Sequence, residues 1–480
     1  EVSGRYDGSS KFPTNSKWGF FPSASVAWRV SEEPWMKWSE EWLDNFKIRL
    51  SAGSMGNGNV DPYSYTSEMT VVTASDIVLG GGLPSYTTVG STVPVSLTWE
   101  KSTTYDLGLD LDFLNNRLSF SGDYYRRYTT DMYTPSISLP SVYGTTSPKG
   151  NNAELRTTGW ELSFTWRDSF KLGGKPFDYS IKAMVWDNRT VVTKYENATR
   201  SLGTLKGYIQ NGGSPSDFYE GMELGEMWGY TVAGLFRDQA DIDSSATHDF
   251  TQASDKVTRP GQVKIADLDH NGNIDPGAFT ADDHGDLSII GNINPHYMFG
   301  VNLAANWNGI GLSVFLQGVM KRDWYPSPDS GYFWGKYARP FMWVLGIHNY
   351  TDDMYSEEKN NWDTAYWPRM TTYQSNSSYS WTKLLEIPNT RYKQNAAYLR
   401  VKNIQVDYTF PKALCQKIRL GGLKIYLSGE NLFTFTPLHK YAPNFDPEAL
   451  GYDTDFSSTA GDGYTYPVLK SVTLGVNITF

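Results

Sequence analysis

Nine consecutive residues, Asp267-Leu268-Asp269-His270-Asn271-Gly272-Asn273-Ile274-Asp275, set side-chain oxygens at alternate positions around a central glycine. This matches the first nine positions of a calcium loop. Hard oxygens converge on a hard cation, the glycine permits the tight turn, and the isoleucine anchors the loop to its neighbours. Position twelve is Ala278, so the closing acid is displaced to Asp282, Asp283 or Asp286. The expected ligand set is Asp267, Asp269, Asn271, Asn273 and Asp275, closed by Asp283, and the ion, Ca2+ or Mg2+, would stiffen the segment 267–286. Two other readings stand beside it: an Asx-rich turn held by its own side chains, and a transition-metal site through His270 and His284.

A second group lies between Lys321 and Ala396, where Trp324, Tyr325, Trp334, Tyr337, Trp343, Trp362, Tyr366, Trp367 and Trp381 crowd one stretch. Flat aromatic faces stack on the apolar faces of sugars and pack equally well against peptide side chains or one another. Trp334, Trp343, Trp362 and Trp367 are the ligand-contact candidates; the alternative is that these rings hold a long loop together or face a protein partner. Catalysis finds little support. The many carboxylates form no pair whose separation the sequence reveals, and G-x-S-x-G, H-E-x-x-H and phosphate-loop motifs are absent.

The elements that would position these groups follow a period of two. Tyr105, Leu107, Leu109, Leu111 and Phe113 alternate with Asp106, Gly108, Asp110 and Asp112, and Asn115-Asn116 turns the chain into Leu118, Phe120, Gly122 and Tyr124. The pattern recurs at Trp160 to Trp166, at Phe177 to Val185 after Gly173-Gly174, and at Tyr297 to Trp307, where Asn308-Gly309 returns the chain along Ile310 to Leu316. Between Tyr398 and Phe410 the phase slips, which a bulge near Lys402-Asn403 would repair. The last strand, Val468 to Phe480, sets Val472, Leu474, Val476, Ile478 and Phe480 on one face.

Several of these faces begin or end in aromatics, the girdle pattern of a lipid-facing strand. Composition agrees: the 480 residues include 32 Tyr, 17 Trp and 44 Gly, mean hydropathy is negative, and no run approaches the roughly 18 apolar residues of a membrane helix. The fold class is therefore all-β, a transmembrane antiparallel β-barrel segment of about twelve strands. Short turns alternate with long connections at Thr129 to Arg156, Arg189 to Pro295, Lys321 to Ala396 and Thr434 to Tyr466. Barrels of this type keep short turns in the periplasm and long loops outside, so the C-terminus is expected to be periplasmic. By that parity the excursion 189–295 contributes no spanning strand, and Met227 to Phe236 pairs within it. Gly53 to Val95 reads as loop. The net charge of −10 removes the electrostatic basis for nucleic-acid binding. Cys415, the single cysteine, excludes an internal disulfide framework.

Six stretches resemble the C-terminal half of the SusC-like family of TonB-dependent outer-membrane transporters. They are Arg5-Tyr6-Asp7-Gly8-Ser9-Ser10-Lys11-Phe12, Trp18 to Ser23 (WGFFPS), Trp42 to Arg49 (WLDNFKIR), Ala397 to Ile404 (AYLRVKNI), Tyr426 to Phe433 (YLSGENLF) and the closing strand. They occur in the family's order along the whole chain. The ending Val476, Ile478, Phe480 is similar to the signal by which Gram-negative bacteria insert outer-membrane barrels.

The resemblance implies a barrel of about 22 strands whose lumen is plugged, with some ten strands, the plug and the TonB-contacting segment preceding Glu1. It implies nutrient uptake by active import, oligosaccharides first and oligopeptides as the alternative cargo. A SusD-like lipoprotein, TonB through the N-terminal region, the remaining half of the barrel and outer-membrane lipid are the expected partners, with transporter–lipoprotein pairs assembling as dimers. No cofactor beyond a structural Ca2+ is expected, and no enzyme activity. A chain opening at Glu1-Val2-Ser3 as if already within a strand is expected to be a piece of a longer protein. The rivals from other classes are a soluble surface glycan-binding module and a soluble glycosidase, both of which require polar faces where this chain has aromatic-bounded apolar ones.

Overall fold

The computed structural model describes residues 1–66, 69–75, 77–89, 97–135, 149–248, 257–326, 333, 353–369, 387–450 and 468–480. Twelve strands form one antiparallel sheet in strict chain order. They are β1 (Val2–Gly8), β2 (Trp18–Arg29), β3 (Leu43–Asn57), β4 (Glu100–Phe113), β5 (Leu118–Pro135), β6 (Lys149–Leu172), β7 (Lys175–Lys194), β8 (His296–Trp307), β9 (Ile310–Lys321), β10 (Tyr398–Thr409), β11 (Gly422–Phe435) and β12 (Ser471–Thr479). Every neighbour in the sheet is also a neighbour in sequence, so this is an up-and-down wall without crossovers.

Local chemistry explains the turns at one end. Leu114, Asn115 and Asn116 hold φ of 58°, 59° and 60° between β4 and β5; Asn tolerates this left-handed region better than most residues. Gly173 and Gly174 do the same between β6 and β7, and Asn308 and Gly309 between β8 and β9. All three join strands whose twist needs positive φ in the loop. A 3-10 turn, Pro34–Ser39, and a short helix, Lys412–Lys417, close the two wider connections at this end. Cys415 is buried in that helix. At Lys402 the pairing of β10 with β11 skips a residue, so the phase slip in the sequence is a bulge.

The register places side chains of like polarity opposite one another. Leu50, Leu107 and Tyr124 face each other across β3, β4 and β5, and so, on the other face, do Arg49, Gly108 and Asp123. Leu107 is 48% exposed and Leu474 of β12 is 73% exposed. An extended sheet with a continuous apolar face open to its surroundings has no buried core of its own and needs an apolar medium. On the polar face Arg49 bridges Asp110 at 2.9 Å and Asp123 at 2.8 Å, and Ser121 donates to Asp110 at 2.8 Å. Gly108 makes room for this bridge, since a Cβ there would lie 2.5 Å from the guanidinium carbon of Arg49.

The strands run longer than hydrophobic alternation indicates. β6 has 24 residues and β7 has 20, against the 9–11 residues that span a bilayer. Their far ends rise beyond the apolar band and enter the core of a second structure, which the three long connections build together. Leu155 packs against that core, whose members include Val192, Leu202, Tyr208, Trp324, Trp367, Ile387 and Leu438. The first residues of the 189–295 excursion are the end of β7; beyond Lys194 no strand of its described part joins the sheet. Glu226–Tyr230 pairs with Leu287–Asn292, and Val232–Leu235 with Val263–Ile265. The segment 53–95, expected as loop, differs: β3 continues to Asn57, and Met69–Thr73 pairs with Ser85–Val89 as a separate hairpin.

Candidate functional site

The cap over the long-loop end is where the sequence candidates converge. Its core is a ladder of rings. Trp367 stacks on Tyr392 at 5.7 Å and meets Phe333 at 5.4 Å, Tyr366 lies flat on Tyr441 at 3.6 Å, and Trp324 meets Phe445 at 5.1 Å. These rings come from two different long connections. Backbone partners close the seams. Asn389 donates to the Tyr325 hydroxyl at 2.8 Å, and Tyr230 N–H donates to Pro388 O at 2.9 Å. Arg322 reaches the carbonyls of Pro447 and Leu450 at 3.0 and 2.7 Å. Burial pushes the hydroxyls of Tyr230, Tyr366 and Tyr392 above the ordinary tyrosine range.

Of the four tryptophans nominated for ligand contact, Trp367 is wholly buried, and Trp362 is half-buried against the same core. Trp367 has no face with which to stack on a cargo, because its ring is sandwiched between protein rings; the loop-holding alternative describes it. Trp334 and Trp343 lie outside the described residues.

Two ionic clamps fasten the cap to the wall, and neither was anticipated. Arg400, projecting from β10 with only 3% of its side chain exposed, pairs with Asp446 at 2.5 Å and Glu448 at 3.2 Å. It also donates to Thr434 at 2.9 Å, while Lys402 joins Glu448 at 2.7 Å. Burial opposes ionisation of Asp446, but bonds from Arg400 and from the Glu448 and Val468 N–H groups prevail and hold its carboxyl below the usual range. At the head of β7, buried Asp187 lies 2.8 Å from Nδ1 of His296, whose Nε2 is 3.7 Å from Glu223. Glu223 belongs to a segment that extends the ladder on β7, with Met222 O accepting from Val192 N–H. The sequence signal for Arg400 was a cation set between Leu399 and Val401; His296 had none.

The nine-residue loop folds as a turn rich in Asx contacts. Asp267 accepts from Gly272 N–H at 3.1 Å, Asp269 from Asn271 N–H at 3.0 Å, and Asn271 from Asn273 N–H at 2.7 Å. His270 and Gly272 take φ of 60° and 84°, and Ile274 is buried as the anchor. Three carboxylates, Asp267, Asp269 and Asp286, bring one oxygen each within 4.8 Å of the others. Of the three acids the sequence offers to close the loop, Asp286 is the one that joins this cluster. The backbone explains it: Asp286 is buried, accepting from Leu268 N–H at 2.6 Å and Asp275 N–H at 3.0 Å, which ties it across the loop. Asp283 lies outside the cluster and meets Thr280 through its backbone, its N–H donating to the Thr280 hydroxyl at 3.0 Å and its carbonyl accepting from it at 3.4 Å. Asp275 spends one oxygen on Gly277 N–H, and Asn273 sits in a short pairing with Thr247. Burial, and then the charges of Asp269 and Asp267, raise the Asp286 carboxyl above its ordinary value. One oxygen of Asp267 is buried with no hydrogen-bond partner. A hard, all-oxygen donor set with an uncompensated negative charge fits a divalent cation such as Ca2+. His270 is exposed and outside the cluster.

Comparisons with known proteins follow the same lines. The family model for the TonB dependent receptor-like β-barrel matches residues 1–261. TonB-dependent receptor P3 of Formosa agariphila is 28% identical over 99% of this chain and 43% of its own length. TonB-dependent receptor SusC of Bacteroides thetaiotaomicron is 25% identical over 99% of this chain and 41% of its own. Among solved structures, that of the RagAB peptide transporter aligns over all of this chain and 45% of its own, at 20% identity and a TM-score of 0.68. Its open-open state aligns at 21% identity with the same score. The chain spans less than half the length of the relatives it matches.

Proposed function

This chain belongs to the TonB-dependent receptor-like β-barrel family, and from that premise we propose that it is the C-terminal part of an outer-membrane importer whose polar wall and capped mouth conduct a nutrient oligomer. The observation that carries this reading is the two-faced sheet: apolar residues exposed on one side, and a hydrogen-bonded charged surface, Arg49 with Asp110 and Asp123, on the other. A water-filled lumen needs the second face and lipid needs the first. Energy would come through a plug and TonB-contacting segment on the remainder of the protein, and a SusD-like lipoprotein would close over the cap, in assemblies that pair as dimers. The strand ending at Phe480 would leave the C-terminus in the periplasm.

Oligosaccharide is the cargo we favour, in line with the similarity to SusC along nearly the whole chain. Oligopeptide is the second reading, and the fold likeness to the RagAB peptide transporter favours it. Deleting the gene and measuring growth on defined glycans and on defined peptides separates them: loss of growth on a glycan supports the first, loss on peptides alone overturns it. The membrane reading has its own test. The full-length protein should require detergent and shift on a semi-native gel when heated; a detergent-free, monodisperse monomer without that shift would sink it.

We further propose that Asp267, Asp269 and Asp286 hold a structural Ca2+ that stiffens the cap. The loop is an external strut, not a reaction centre, and the protein acts without enzymatic chemistry.

A further inference from the structure

The apolar face of the wall is not uniform. Between β1 and β5, near the long-loop end, it sinks into a groove of about 880 Å³. The floor is low because Ala24 and Ala52 stand side by side in register on β2 and β3, and Val26, Leu50 and Leu107 continue it toward the short-turn end. Tyr105 and Tyr128, in edge contact at 6.3 Å, form one flank. At the head of the groove stands Arg126.

Arg126 sets the head of the groove apart. It faces the same side as Tyr105 and Ala52, in register with both, at the level where the apolar face gives way to Thr158 on β6 and Arg189 on β7. Its hydrogen-bond partners are tyrosine hydroxyls, Tyr124 at 3.3 Å and Tyr128, and among the described residues it has no carboxylate partner. Two acidic residues border the groove, Glu1 and Asp106. Asp106 alternates to the opposite face, in register with Ser51 and Tyr125, and Glu1 lies at the far edge beside β1. A guanidinium has five N–H donors in a planar fork, a geometry suited to a phosphate. The two tyrosine hydroxyls leave most of them for an external acceptor.

Height fixes what that acceptor is. Arg126 lies eight residues along β5 from Leu118 at the short turn, about 26 Å of strand. With a tilt of 35–45° this is roughly 20 Å of rise, close to the top of an apolar band about 25 Å tall. The cation therefore meets the headgroup layer while the groove beneath it meets acyl chains. A soluble anion would match the arginine but leave the groove unused; an uncharged lipid would fill the groove but leave the arginine unpaired.

We propose that this groove binds a phosphorylated, acylated glycolipid of the leaflet at the long-loop end, its phosphate held by Arg126 with the Tyr124 and Tyr128 hydroxyls and one acyl chain lying over Ala24 and Ala52. This rests on the outer-membrane reading above. A lipid so held would tie β1 and β2 to β3, β4 and β5, the three strands that carry the Arg49 bridge on their other face.

The test uses full-length protein extracted from its native outer membrane in mild detergent, with bound lipid counted by native mass spectrometry. The wild type should retain the phosphorylated glycolipid through delipidating washes. Arg126→Ala should retain roughly tenfold less, the size of one charge-assisted contact, and Ala52→Trp, which fills the groove and keeps the charge, should lose it too. Arg126→Lys should keep part of the binding. Each variant is first checked for the heat-dependent gel shift, so a failed barrel is read as failure of the membrane reading and not of the groove. Equal retention by Arg126→Ala, equal retention of dephosphorylated glycolipid or of phospholipid, or displacement by inorganic phosphate alone would each overturn the proposal.

Discussion

The wall and the cap hide apolar surface by opposite means. In the wall, Leu107, Phe164, Val472 and Leu474 point out of the sheet and stay exposed; no second layer of protein covers them, and their partner is lipid. In the cap, Trp324, Trp367, Tyr392 and Ile387 are inside, packed ring on ring as in a water-soluble domain. The two meet at the heads of β6 and β7, where Leu155 and Val192 lie on strands of the wall but pack in the core of the cap. The lesson is that one chain changes solvent along the same strand, and the same residue types mean exposure below that level and burial above it.

The largest effect expected is inside the cap. Trp367→Ala removes a fully buried ring from the centre of the core and should cost about 3–5 kcal/mol of cap stability. Because the wall does not depend on that core, limited proteolysis should open the loops while the heat-dependent shift of the barrel persists. If loss of Trp367 abolished the shift as well, wall and cap would be one cooperative unit and the comparison would break. Next comes the wall. Leu162→Arg, opposite Gly122 and four residues above the short turn at Leu118, places a charge on the lipid face near the midplane and should cost about 2–4 kcal/mol in a bilayer. The effect should shrink in detergent that can rearrange around the charge, and folding into liposomes at graded urea measures it.

Where the two solvents differ, the sequence was legible, and where the difference vanishes it was not. Lipid on one side and water on the other force Tyr105 to Phe113 to alternate with aspartates, so the strand, its partners and even the slip at Lys402 could be read. Above the apolar band nothing enforces alternation. The upper halves of β6 and β7 therefore carried no signal, and the hairpin Met69–Thr73 with Ser85–Val89 passed for loop. The site divides likewise. Alternate oxygens pointed to Asp267 and Asp269, which do lie together, but that Asp286 joins them depends on N–H groups of Leu268 and Asp275 that close across the fold. Trp367 was misassigned because a ring that stacks on sugar and a ring that fills a core are the same residue.

The seam between wall and cap should respond less strongly and with a defined pH sign. Asp446→Asn removes one of two carboxylates from buried Arg400. Glu448 remains, so the expected cost is about 1–3 kcal/mol rather than that of a wholly orphaned charge. Since Asp446 is held below its ordinary 3.8, its contribution is fully present above that pH and is lost as pH falls through the lower, folded value. Wild-type cap protection in amide exchange should therefore decline on acidification into that window, and Asp446→Asn should flatten the decline. An unchanged slope would remove this clamp from the seam.

The smallest effect separates the two regions most cleanly, because it should reach the cap alone. Asp286 is raised above 3.8 by burial and by its carboxylate neighbours, so without a cation its ionisation costs stability as pH climbs through the folded value. Calcium reverses that sign by favouring the ionised form. At ten times its dissociation constant it should add roughly 1.4 kcal/mol to the cap, seen as protection of the 267–286 backbone in amide exchange, with no change in the barrel's heat-dependent shift. Binding at a pH where Asp286 is still partly protonated should also release protons, measurable by calorimetry in buffers of different ionisation heat. Asp286→Asn and Asp267→Asn should abolish both the protection and the proton release. Asp283→Asn should leave both intact, since Asp283 meets Thr280 through its backbone and lies outside the carboxylate cluster. Calcium protection that survived loss of Asp286 but not of Asp283 would return the ligand set to the one the loop's linear spacing suggests.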